Sequence, residues 1–121
     1  MDNFTLVRPE HLNHHGYLFG GFLLKWVDEN AWMAASREYS GCNLVTIAMD
    51  ACRFKVRVEN GSILRFRTEK VKQGRTSISY NVEVFADAPG ASSEKEVFST
   101  SVTFVHLDEK GCPCRFSGES K

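Results

Sequence analysis

The sequence predicts an α+β fold: an antiparallel sheet of about five strands wrapped around one long central helix. Three observations predict it. The run from about Phe19 to Tyr39 is rich in Leu, Ala, Met, Lys and Glu, with no proline and no glycine beyond Gly21. Everything after that run reads as long strands separated by turn signals. The length, 121 residues, suits a single domain with a single core.

The elements follow in order. Phe4 to Val7 reads as a short strand ended by Arg8-Pro9-Glu10, and His11 to Leu18 as a loop. Helix propensity carries Phe19 to Tyr39 through about five turns. Ser40-Gly41 ends the helix, with glycine suited to the left-handed position past it. Asn43 to Val58 is a long strand with a bend, and Glu59-Asn60-Gly61 is a hairpin signal. Ile63 to Lys72 follows, then a turn at Gln73-Gly74. Arg75 to Phe85 comes next, with Ile78, Tyr80, Val82 and Val84 on one face. Asp87 to Glu94 is a surface loop, Lys95 to Leu107 the last strand, and a polar tail runs from about Asp108. Four strands in hairpin succession after one helix form a strongly curved sheet around it. That is the pattern of the hotdog fold.

A formal net charge of zero argues against bulk attraction to nucleic acid or membrane. No segment reaches the ~18 consecutive apolar residues of a membrane span. The opening MDNFTLVRPEH lacks the basic start and apolar core of a signal peptide, so a cytoplasmic location is expected. Cys42, Cys52, Cys112 and Cys114 are then expected to be reduced thiols, and Cys112-Pro-Cys114 lacks the CxxC spacing of a redox or metal motif.

Asp28 is the anomaly. On a helical wheel Leu23, Leu24, Val27, Ala31, Ala34 and Ala35 form one apolar arc, and Phe22, Trp26 and Met33 a second. Glu29 shares the polar side with Lys25, four residues before it, where a solvated pair is expected. Asp28 instead lies at the edge of the first arc, flanked by Trp32. A carboxylate taken partly out of water is a candidate base or nucleophile; packing at an interface or capping a loop are the alternatives. Gly20-Gly21 opens the same helix. There the free N–H groups and the helix dipole are suited to developing negative charge, an oxyanion hole made of backbone, while a tight turn is the simpler reading. Gly21 and Asp28 are about 10 Å apart along the axis at ~1.5 Å per residue. A reacting carbon needs both within ~3 Å. Two antiparallel helices from two subunits satisfy this, giving a two-fold dimer with two equivalent sites.

The run Asn13-His14-His15-Gly16-Tyr17-Leu18-Phe19-Gly20-Gly21, followed by Trp26-Val27-Asp28-Glu29, resembles the hotdog-fold acyl-CoA thioesterases. The nearest group is the broad-specificity bacterial acyl-CoA hydrolases related to brain acyl-CoA hydrolase. Val45 to Asp50, Phe54, Gly61, Gly74-Arg75-Thr76-Ser77 and Phe104-Val105 agree in order, so the resemblance runs from about Leu6 to Lys110. It implies hydrolysis of an acyl-CoA thioester to a free acid and CoA. Asp28 is the implied general base or nucleophile, Asn13 the residue that positions water or carboxylate, and Gly20 and Gly21 of the partner the oxyanion hole. It also implies hotdog dimers, in some members assembled as trimers of dimers, and no cofactor beyond the coenzyme A of substrate and product.

Phosphates of CoA call for positive charge. Arg53, Lys55 and Arg57 alternate with apolar residues and are expected on one strand face, and Lys72, Gly74, Arg75, Thr76 and Ser77 surround a turn that suits phosphate. A solvated basic face and a plain turn are the alternatives. The sequence departs from the family in Val56, where a proline is frequent, in Gly61-Ser62, where Gly-Asp is frequent, and in the pair His14-His15. A hotdog dehydratase would need a histidine that the helix does not carry. A metal-dependent hydrolase would need ligand spacing that His11, His14 and His15 do not have, so no metal is expected. A non-catalytic acyl-CoA-binding sensor is the alternative from another class.

Overall fold

In the computed structural model, which describes residues 1–116, β1 (Asp2–Leu6) leads through a 3-10 turn (Pro9–His11) into α1 (Gly20–Glu38). Then come β2 (Asn43–Phe54), β3 (Ile63–Gln73), β4 (Ser77–Asp87) and β5 (Lys95–Leu107). All pairings are antiparallel and the order across the sheet is β1-β3-β4-β5-β2.

The helix is buried along one stripe four residues apart: Leu23, Val27, Ala31 and Ala35. Facing them are Leu64 and Phe66 of β3, Val82 and Val84 of β4, and Phe98, Val102 and Phe104 of β5. Burial of a Leu or Val side chain contributes about 1.5–3 kcal/mol, and the alanines let the helix axis approach the sheet closely. In β4 the alternation holds as expected, with Ile78, Tyr80, Val82, Val84 and Ala86 buried. Gly41, at φ +87°, takes the left-handed turn past the helix.

Several expectations are corrected. The four later strands are not in hairpin succession: β3, β4 and β5 are, but β2 lies on the far edge against β5. Glu59-Asn60-Gly61 is therefore a turn into β3, not a β2–β3 hairpin. Its Gly61 and Ser62 are tied instead to Val7 by reciprocal backbone bonds of 2.9 Å. β2 stops at Phe54 and not at Val58: after two register shifts, with Ala51 at φ 53°, the ladder resumes at Arg53 and Phe54, and beyond Lys55 the chain turns to the loop before α1, where Val58 O accepts Leu18 N–H. β4 begins two residues later than expected, since Gly74 N–H bonds Ser77 O and closes the turn. On the helix, Asn30 is buried and Met33 is exposed, the reverse of the second apolar arc. Asn30 is accommodated because Asn3 Nδ2 donates to its Oδ1 at 2.7 Å and its own Nδ2 donates to Trp26 O at 2.8 Å. Glu29 and Lys25 are both exposed and neither joins an ion pair among the described residues.

The tail, expected as a polar extension, folds back as far as residue 116. Pro113 bridges Leu107, Cys114 N–H bonds His106 O at 2.8 Å, and the Phe116 ring packs on His106 and Tyr39. The rest of that expected tail, residues 117–121, lies outside the described residues.

Candidate functional site

The loop before α1 is organised by Asn13. Its backbone N–H bonds Tyr17 O at 2.7 Å, and Gly16 turns the chain at φ +86°. Its side-chain Oδ1 accepts from the backbone N–H groups of His15 (2.9 Å) and Tyr17 (3.2 Å). The oxygen is thus occupied inside its own turn, and only the Nδ2 donors remain for other work. Leu18 N–H bonds Val58 O at 2.9 Å, which fixes this loop against the segment that leaves β2.

The helix begins without a side-chain cap, Phe19 being the cap residue. The first N–H groups of an α-helix have no intrahelical acceptor, so those of Gly20 and Gly21 are available to a ligand. A Cβ on Gly21 would lie 2.5 Å from the exposed Phe19 ring, which would have to swing aside, while one on Gly20 would only touch Phe54 at 3.4 Å. Asn13 and Gly20 face one groove of about 570 Å³. Leu18, Leu23, Phe54 and Val56 give it an apolar floor, and His15, Lys55 and Arg57 lie at its border.

Asp28 lies elsewhere. It is half-buried, and Thr46 Oγ1 of β2 donates to its Oδ1 at 2.7 Å. One turn on, Trp32 Nε1 donates to Leu44 O at 3.2 Å. Asp28, Glu29, Trp32 and Met33 line a separate shallow hollow of about 440 Å³. Thr46 is a site residue that sequence reasoning missed. The alternation of β2 was its available signal: Leu44 is buried against the helix, so residue 46 points the same way. Within one chain, then, Asn13 and Gly20 open on one hollow and Asp28 on another.

The cationic residues are not brought together as expected. Arg53, Lys55 and Arg57 do not share a strand face, because the strand ends between them. Lys55 is ion-paired with Glu96, and the Arg57 guanidinium sits 4.4 Å over the Tyr17 ring. Lys72, Gly74, Arg75, Thr76 and Ser77 lie at the other end of the sheet. Ser77 pairs with Val105, whereas Lys55 N–H bonds Val97 O, eight residues away on β5. That separation is roughly 25 Å at ~3.3 Å per residue.

Beside the β3–β4 turn a polar network closes the helix end. Lys70 Nζ donates to Glu38 (2.8 Å) and to Tyr39 OH (2.9 Å), and Tyr80 OH donates to Glu38 at 2.5 Å. Burial alone pushes the Glu38 carboxyl up, but the bonds from Lys70 and Tyr80 outweigh it and hold the group below its ordinary 4.5. Burial and then the bond to Glu38 push the Tyr80 phenol far up. The four cysteines are free, and burial, with Asp108 and Cys42 nearby, pushes the Cys114 thiol up, away from a reactive thiolate. His11 packs edge-on to Phe22 and Trp26 and accepts Arg8 N–H through Nδ1 at 3.0 Å. Among the described residues no three His, Cys, Asp or Glu side chains gather as metal ligands, and no helix is long and apolar enough to cross a membrane.

Comparison with known proteins adds the following. Residues 15–92 match the family model described as the thioesterase superfamily. The chain is 32% identical over 111 residues to an uncharacterized acyl-CoA thioester hydrolase of Zymomonas mobilis, covering 92% of this chain and 74% of that protein. It is 31% identical to the human cytosolic acyl coenzyme A thioester hydrolase over 88% of this chain but spans only 28% of that protein. A hexameric hotdog-fold thioesterase of Campylobacter jejuni superposes with a TM-score of 0.83 at 35% identity, over 95% of this chain and 88% of that one. An acyl-CoA hydrolase of Staphylococcus aureus, solved with butyryl coenzyme A and coenzyme A, superposes with a TM-score of 0.85 at 28% identity, over 98% and 71%. That enzyme has also been solved with one Asp and with one Asn replaced by Ala, at positions separated in its sequence as Asn13 and Asp28 are here.

Proposed function

The chain belongs to the thioesterase superfamily, with the hotdog fold of that family, and from that premise we propose that it is an acyl-CoA thioesterase, cleaving acyl-CoA to a free carboxylic acid and CoA. Asp28 activates water or attacks the thioester carbonyl directly. Thr46 holds the carboxylate so that one oxygen stays directed at the substrate. The N–H groups of Gly20 and Gly21 receive the developing oxyanion, and Asn13 donates from Nδ2 to the carbonyl, the water or the carboxylate. The cationic border at Lys55 and Arg57 takes part of the CoA phosphate charge, with Arg53. The Lys72 to Ser77 turn, at the far end of the sheet, serves the CoA of another site in the assembly. No cofactor is needed beyond the CoA of the substrate, and the cytoplasm is the natural compartment for that substrate.

One observation carries this reading: Gly20, with Asn13 of the preceding loop, and Asp28, on the same helix, open on different hollows of the same chain. A reacting carbonyl cannot reach both in one chain, so the site is completed between two copies with antiparallel helices. Two further features support a self-associated form. Among the described residues the outer edge of β2 is unpaired, and Val45 (40% exposed) and Ile47 (58%) of that strand are left open. The hexameric relatives are consistent with assembly beyond the dimer.

Complementation tests the reading. Asp28→Asn and Asn13→Asp are purified singly and co-expressed, and thiol release from butyryl-CoA is followed. Asp28→Asn alone is expected to keep at most about a hundredth of wild-type activity, and Asn13→Asp alone about a hundredth to a tenth. A random mixture regains about a quarter of wild-type activity, because half of the dimers carry one intact site of two. No recovery in verified mixed dimers refutes the shared site. No release from any thioester by the wild type, with saturable CoA binding, makes the chain a binding protein instead.

A further inference from the structure

We propose that the hollow formed by Trp32 and Met33 beside Asp28 receives the acyl group, and that Asp28 and Glu29 at its border restrict it to uncharged acyl groups. This rests on the acyl-CoA hydrolysis reading above and names its substrate class.

The geometry comes first. Trp32 is one helical turn from Asp28, so the two side chains are neighbours on one face, about 5–6 Å apart at Cβ. Both are anchored to the same strand: Asp28 by Thr46 Oγ1 at 2.7 Å, Trp32 by Leu44 O at 3.2 Å. The indole therefore stands at a fixed distance from the carboxylate. It is pinned through its N–H yet 46% exposed, and Met33 beside it is 41% exposed. A rigid aromatic wall beside an adaptable thioether suits apolar chains of varied shape.

Charge decides which end of the substrate lies there. Arg57, which joins no ion pair among the described residues, borders the groove beside Asn13 together with Lys55, whose charge is met by Glu96, so the phosphate-bearing arm is drawn to the Arg57 side. The hollow beside Asp28 has only two carboxylates at its border, and Glu29 joins no ion pair among the described residues. CoA phosphates are repelled from it and the acyl chain is not. An acyl group carrying its own carboxylate meets the same repulsion.

The test compares kcat/KM for acetyl-, octanoyl-, butyryl- and succinyl-CoA in the wild type, Trp32→Ala, Trp32→Phe and Glu29→Gln. In Trp32→Ala, kcat/KM for octanoyl-CoA is expected to fall at least about tenfold further than for acetyl-CoA, the effect of losing a large apolar contact. Trp32→Phe keeps an aromatic face without the N–H anchor and is expected to restore most of the octanoyl preference. Glu29→Gln is expected to raise succinyl-CoA relative to butyryl-CoA several-fold. Equal losses for acetyl- and octanoyl-CoA in Trp32→Ala overturn the inference, as does a Trp32→Phe variant no better than Trp32→Ala. An unchanged succinyl ratio in Glu29→Gln overturns the charge restriction. In each of these cases the wild type still hydrolyses thioesters. A wild type that hydrolyses none refutes the enzymatic reading itself.

Discussion

Replacing Asn13 by Asp separates two jobs that one side chain performs. The Oδ1 atom accepts from His15 and Tyr17 N–H and builds the turn; Nδ2 is the only group left to act on a substrate. Asp supplies the same acceptor in the same place and removes the donor. Asn13→Asp should therefore keep the turn and the fold, with a stability change within about 0.5 kcal/mol. Asn13→Ala removes both acceptor bonds and should cost about 1–2 kcal/mol, at about 1 kcal/mol for each, which is several degrees in melting temperature for a domain of this size. Activity should follow the donor. A hydrogen bond to a charged group contributes about 1.5–3 kcal/mol, so both variants should lose roughly ten- to a hundredfold in kcat. Thiol release from butyryl-CoA and thermal unfolding followed by circular dichroism, on the same preparations, give the two readings. An Asn13→Asp protein with wild-type kcat refutes the donor role. One as destabilised as Asn13→Ala refutes the account of the turn.

Asp28→Asn is expected to lower kcat by at least about a hundredfold while leaving the unfolding midpoint in urea near that of the wild type. Thr46→Val removes the 2.7 Å bond to Asp28 and keeps the side-chain volume, so kcat should fall about tenfold or more with KM little changed; steady-state kinetics check this. The Glu38 carboxyl is held below 4.5, so the stability it contributes is present above that value and lost as pH falls through its lowered folded value. Lys70→Met removes the cation and should flatten the fall in urea midpoint as pH drops below 4.5, losing more stability at about pH 7 than in acid. Dialysis against a strong chelator should leave thioesterase turnover unchanged, and loss of turnover restored by a divalent metal would contradict the assignment of Asp28 as the acting group.

What the sequence determined by itself were the features written into local periodicity and turn chemistry. The helix limits are correct to one residue at each end, because glycines and a cluster of turn residues bracket a run of helix formers. β5 is read to the residue, and the buried face of β4 follows from strict alternation. The contrast between Asp28 and Glu29 is also a local fact, since the helical wheel assigns neighbouring carboxylates to different sides. The tertiary structure alone decided where β2 goes. Its neighbour is β5, about fifty residues later in the chain, and no local pattern encodes a crossing from one edge of the sheet to the other. That pairing brings Thr46 onto Asp28 and Leu44 onto Trp32, and it ends the strand at Phe54 so that Lys55 and Arg57 leave the strand face. It also sends the Lys72 to Ser77 turn to the opposite end of the sheet from them. Periodicity tells which way a side chain points within its own element, while register between distant strands, fixed by burial of the shared core, tells what it meets.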